Sequence, residues 1–122
     1  EYAKIFEELV KKNVAAYEAG DAAGAASMYD AQGVVIDKKE GKCSYGTAEI
    51  TKMCQAFIDM GKIEFKMPKS VFHETGYNGF HVASEFESKV VATGQVLKGC
   101  STQLYEKKGD EWKCVYEIFE MH

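Results

Sequence analysis

The segment Asn13–Asp37, NVAAYEAGDAAGAASMYDAQGVVID, holds the end of one helix, a short Ala-rich helix and the first strand. Gly20 suits the left-handed position that stops a helix, and Asp21 suits the cap that starts the next. Upstream, Phe6, Leu9, Val10, Val14 and Tyr17 recur at helical spacing, which predicts a helix over Tyr2–Ala19 with one face on a core. Asn13 falls inside that stripe, either as a boundary amide satisfied by backbone or as a polar group turned into a cavity. Downstream, a helix is expected from Asp21 to about Tyr29, a turn over Asp30–Gly33, and a buried strand over Val34–Ile36. Asp37 then stands where that strand surfaces, beside Lys38 and Lys39.

Further along, Cys43–Tyr45 reads as a short returning strand, and Gly46-Thr47 as a turn and helix start. Ile50, Met53, Cys54, Phe57 and Ile58 mark a third helix, stopped by Gly61. Beyond Gly61 the period changes to two. Ile63–His73, with a bend or bulge at Pro68, is followed by a hairpin turn over Thr75–Gly79 and a strand through Phe80–Glu87. A turn at Thr93-Gly94, a strand over Val96–Lys107, a turn over Lys108–Glu111 and a strand over Trp112–Met121 complete a four-stranded antiparallel meander. Irregularities at Pro68, Gly94 and Gly99 are expected to curve the sheet. Three helices ahead of a meander exclude the alternating rhythm of a doubly wound fold, leaving an α+β domain with helices over the concave side of one sheet.

A chain of 122 residues, 46% of them hydrophobic and one of them proline, is long enough for one domain with its own core, spanning 1–122. The net charge of −4, with Lys mixed among Glu and Asp, argues against nucleic acid. No apolar run approaches membrane length, so no membrane association and a cytoplasmic location are expected. Cys43, Cys54, Cys100 and Cys114 lack metal-ligand spacing, so neither a metal nor a cofactor is expected and the thiols are read as free. The serines lack a glycine-flanked elbow, and His73, His81 and His122 have no triad spacing, although His73 and His81 flank the hairpin and can face one another.

The Ala19-Gly20-Asp21 helix end, the Met28-Tyr29 ending, the Gly46-Thr47-Ala48-Glu49-Ile50 helix entry and the terminal run Leu104–Lys113 resemble the nuclear-transport-factor-2-like (NTF2-like) superfamily. That is the cystatin-like α+β cone of SnoaL-like cyclases, ketosteroid isomerases and kinase association domains; the likeness is strongest to the SnoaL-like branch. The resemblance covers essentially the whole chain, and its motifs are caps, turns and core positions that speak for fold rather than activity. It implies a curved, mostly antiparallel sheet with three N-terminal helices on its concave face, and a homodimer. Laid over the isomerase pattern, it puts Asp37 at the general-base position, with Asn13 and about Thr102 where the oxyanion donors stand.

Three functions follow as expectations. The first is a binding domain for an apolar or aromatic small molecule, with a pocket lined by Asn13, Tyr17, Tyr29, Phe57, Thr102, Phe119 and Glu117. In this reading Thr102 shares inward pleat parity with Cys100 and Leu104. Glu117 faces inward if Val115, Glu117 and Phe119 share a face, and outward if a one-residue bulge intervenes. The second is an isomerase, cyclase or dehydratase in which Asp37 is the base. The third is a homo-oligomerisation module, because the convex face is expected to expose Val, Tyr and Trp side chains.

Overall fold

In the computed structural model, which describes residues 1–76 and 78–122, helix α1 (Tyr2–Glu18) ends as its glycine requires. Gly20 has φ +70°, the Asp21 N–H reaches the Ala16 carbonyl at 2.9 Å, and the Gly20 N–H reaches the Tyr17 carbonyl at 3.1 Å. This pair of bonds satisfies carbonyls that a helix end leaves open. Asp21 Oδ1 then accepts the Gly24 N–H at 2.9 Å and starts α2 (Ala22–Ala26).

The second helix is shorter than its sequence suggests, because the sheet takes its last residues. Tyr29 opens strand β1 (Tyr29–Asp37), and the Met28 carbonyl accepts the N–H of Cys114 at 2.9 Å. The turn expected over Asp30–Gly33 is instead an irregularity inside β1, where pairing jumps from Tyr29 to Val34. Gly33 fits there because a Cβ would stand 3.0 Å from the Asp30 carbonyl oxygen.

β2 (Lys42–Tyr45) leads into α3 (Gly46–Asp59), whose Glu49 Oε1 reaches back to accept the Tyr45 N–H at 2.7 Å. Strands β3 (Ile63–Glu74), β4 (Gly79–Val90), β5 (Val96–Lys108) and β6 (Glu111–Met121) form the meander. The sheet order is β2-β1-β6-β5-β4-β3, antiparallel throughout except for the β1–β6 pair. The hairpin turn expected over Thr75–Gly79 contains residue 77, which lies outside the described residues.

Two bulges shape the meander. One lies between Lys66 and Lys69, at Pro68, which has no N–H for the ladder. The other lies between β5 and β6, where Leu104 pairs with Tyr116 but Tyr105 pairs with Cys114, leaving Val115 extra. Gly99, expected as an irregularity, stays in register opposite Phe86. Its role is close approach: a Cβ there would press on the Glu120 carbonyl oxygen and stand 2.6 Å from Phe86 Cζ.

α1 and α3 cover the concave face. Tyr2 stacks on Phe80 with ring centroids 4.9 Å apart, and Phe6 meets Phe72 and Tyr105 edge-on. Trp112 packs on Phe80 at 5.3 Å, so it belongs to the concave side and not to the convex face on which a Trp was expected. Among the described residues, no helix is long and apolar enough to cross a membrane.

Candidate functional site

Val10, Asn13, Val14 and Tyr17 fall on one side of α1, because residues three and four apart share a helix face. Met53, Phe57 and Ile58 do the same on α3. The strands supply alternate residues: Ile63, Phe65 and Met67 from β3, Phe86 and Ser88 from β4, Ser101, Gln103 and Tyr105 from β5, and Glu117, Phe119 and Met121 from β6. Between them lies a cavity of about 400 Å³. Its walls are predominantly aromatic, aliphatic and thioether.

One polar cluster interrupts those walls. Tyr29 donates its hydroxyl to Glu117 Oε1 at 2.6 Å, and Gln103 Nε2 donates to the same oxygen at 2.8 Å. Tyr105 donates to Gln103 Oε1 at 3.0 Å, which fixes the way the Gln103 amide faces. Neither bond to Glu117 uses Oε2. Oε2 takes no hydrogen bond among the described residues, and Glu117 lines the cavity. Among the described residues, no lysine or arginine pairs with this carboxylate.

Burial pushes the Glu117 carboxyl above the usual carboxylate range, opposed by the hydrogen bonds from Tyr29 and Gln103. The Tyr29 hydroxyl is pushed well up by burial and then by the neighbouring Glu117 charge, so it remains a donor. Tyr17 is raised by burial and then by the neighbouring Cys54, to whose Sγ it donates at 3.3 Å. Burial raises the Cys54 and Cys114 thiols, which keeps both protonated and poorly nucleophilic at neutral pH.

Six of the residues expected in the pocket stand in its wall: Asn13, Tyr17, Tyr29, Phe57, Glu117 and Phe119. Asn13 does both things weighed for it, since it lines the cavity while its Nδ2 donates to the Ala25 carbonyl at 2.9 Å. Glu117 faces inward with the bulge present, contrary to the expectation that a bulge would expel it. The extra Val115 lets Cys114 and Glu117, three residues apart, share the concave side.

Thr102 is a correction. It pairs with Ala83 and Ile118 and lies on the convex face with Val71, because Ser101, Gln103 and Tyr105 carry the inward parity of β5. A signal for this is present in the sequence. The even positions of β5 include Lys98, Glu106 and Lys108, whereas the odd positions from Leu97 to Tyr105 carry no formal charge.

Asp37 is the second correction, for it does not line the cavity. It lies at the very end of β1, and its Oδ1 accepts the Glu40 N–H at 3.1 Å to close the turn into β2. The residues missed by sequence reasoning include Gln103, Tyr105, Phe65, Met67, Phe86 and Met121. Among the described residues, no group of three or more His, Cys, Asp or Glu side chains is placed to hold a metal ion.

No protein-family model matches the sequence, and no curated protein matches it. Solved structures do match in shape. A candidate calcium/calmodulin-dependent protein kinase II association domain from Xanthomonas campestris superposes with a TM-score of 0.84 at 16% identity, covering 100% of this chain and 86% of that one. An NTF2-like protein of unknown function from Shewanella oneidensis gives 0.78 at 18% identity over 98% and 99% of the two chains. A protein with a cystatin-like fold from Nostoc punctiforme gives 0.81 at 11% identity over 96% and 88%. At these identities the likeness is one of fold.

Proposed function

We propose that this chain, which has the NTF2-like, cystatin-like fold, binds an apolar or aromatic small molecule in the cavity between α1, α3 and the concave sheet. The observation that carries the reading is a cavity of about 400 Å³ with mostly apolar walls and a hydrogen-bonded polar cluster, Tyr29, Gln103 and Glu117. Ligand pockets commonly span roughly 300–1,000 Å³ and have this composition. A screen of aromatic and steroid-like compounds tests it. Hits raise the melting temperature of the unmodified protein, and Tyr17→Ala, which removes a wall, abolishes the shift. A screen without a stabilising compound defeats the reading.

A second reading, an isomerase, cyclase or dehydratase, is favoured by one observation: Glu117 is a carboxylate that lines a mostly apolar cavity and takes both of its hydrogen bonds on Oε1. In that reading the base is Glu117, since Asp37 does not line this cavity. Its measurement is proton exchange at the carbon beside the carbonyl of alpha-tetralone in deuterated water. Acceleration by the protein that is lost in Glu117→Gln, with ligand binding kept, supports it.

The convex face supports pairing of two copies. Val71, Ala83, Thr102 and Ile118 form an apolar band across four strands, with Val71 44% exposed. Lys38, Lys69, Glu85 and Glu120 border it with charges of both signs, and Lys38 pairs with Glu120 at 3.9 Å within the chain. The rings of His73 and His81 face one another at 5.9 Å at the edge of the same face.

A further inference from the structure

We infer that the cavity selects ligands carrying a basic nitrogen: an aromatic or polycyclic body that ends in a protonated amine, whose N–H meets Glu117 Oε2. The inference rests on the cavity being a ligand site, as proposed above, and adds the chemical class of what enters.

The polar cluster is built of donors pointing one way. The Tyr105 hydroxyl donates to Gln103 Oε1, the Gln103 amide donates to Glu117 Oε1, and the Tyr29 hydroxyl donates to that same oxygen. Both hydroxyls and one N–H of the Gln103 amide are directed within the cluster, both bonds to Glu117 fall on Oε1, and Glu117 lines the cavity, so the cluster brings an acceptor, Oε2, to the cavity wall. A ligand carboxylate or phosphate would bring its charge against Glu117 with no lysine or arginine paired there. An alcohol would satisfy Oε2 but leave the charge. An ammonium group does both, and offsets the desolvation that the carboxylate suffers.

The approach to the cavity points the same way by an independent route. α1 and α3 both bring their C-terminal ends to the cavity, through Tyr17, Glu18 and Gly20 on one side and Phe57, Ile58 and Gly61 on the other. Helix C-termini carry partial negative charge, and neither of these has a basic residue in its last turn. Lys62 is exposed at the rim, and Glu18 opposes it in sign. The other titratable groups around Glu117 are Tyr17, Tyr29, Tyr105, Cys54 and Cys114, all held protonated by burial, so none supplies a positive charge. The walls suit the rest of the molecule. Phe57 and Phe119 lie 6.2 Å apart at a tilt, Phe65 stacks with Phe86, and Met28, Met53, Met67 and Met121 line the same cavity.

The test uses three probes of one shape on the full chain: naphthylmethylamine, naphthylmethanol and naphthoic acid, measured by calorimetric titration at neutral pH. A charge-assisted hydrogen bond predicts that the amine binds about 10- to 100-fold tighter than the alcohol, with the acid weakest. In Glu117→Gln the amine falls to within about threefold of the alcohol, since the charge is gone while the amide keeps the shape. An alcohol that binds the unmodified chain as tightly as the amine overturns the inference and leaves the cavity reading intact. So does an amine preference that persists in Glu117→Gln. Absence of binding by all three overturns the inference and the cavity reading together. The ranking on the unmodified chain decides the matter even where the variant fails to fold.

Discussion

The Tyr29 hydroxyl lies 2.6 Å from Glu117 Oε1, joining the first residue of β1 to the middle of β6 across 88 positions of sequence. The contact exists because β1 and β6 are parallel neighbours and because Val115 is extra in its strand. It holds a carboxylate in a cavity whose walls otherwise prefer apolar groups.

That carboxylate makes stability depend on pH in a definite direction. The folded-state pKa of Glu117 is raised above its ordinary value of 4.5, so the folded chain holds this proton more tightly than the unfolded one. The contribution is fully present below the unfolded pKa and is lost as pH rises through the folded one. Glu117→Gln should therefore gain in melting temperature relative to the unmodified protein from pH 4 to pH 8. Thermal unfolding in that series checks it, and equal slopes for the two proteins would count against it.

Tyr29→Phe removes one of the two donors on Glu117 Oε1 while keeping the ring in the core. A hydrogen bond to a charged group contributes about 1.5–3 kcal/mol, so urea unfolding at pH 8 should show a loss of that order. The loss should shrink in the Glu117→Gln background, where the acceptor is neutral. Equal losses in both backgrounds would show that the bond does not sense the charge.

The four cysteines should divide in two. Cys43 is exposed and Cys100 part-exposed, whereas Cys54 and Cys114 are buried with raised thiol pKa values. A disulfide reagent on the native, non-reduced protein should modify the first pair quickly and reach all four thiols only after denaturation. Fewer than four thiols in the denatured protein would mean that a disulfide forms.

Pairing through the convex face predicts a light-scattering mass of twice 13.6 kDa. Thr102→Glu, placed in the middle of the apolar band opposite Ala83 and Ile118, should restore the single-chain mass without unfolding the domain. A mass of 13.6 kDa for the unmodified chain at high micromolar concentration would end the proposal.

The local grammar of the chain determined the fold. Gly20 and Asp21 mark a helix end and a helix start on chemistry that a few neighbouring residues complete by themselves, and Gly61 does the same for α3. The helical stripe through Val10, Asn13, Val14 and Tyr17 placed one wall of the cavity, because helix periodicity assigns a face without reference to the rest of the molecule. Strand parity is different. Whether Thr102 or Gln103 turns inward depends on the register of β5 against two neighbours, and a shift of one residue reverses every side chain. The extra Val115 is decided by that same pairing, and with it the inward position of Glu117. Asp37 shows the remaining limit: the strand end was legible, but the cavity stops short of it, and its carboxylate is taken up by the Glu40 N–H. Caps and stripes are settled within a turn of helix, whereas the polar cluster of Tyr29, Gln103 and Glu117 is assembled from three strands and exists only once they pair.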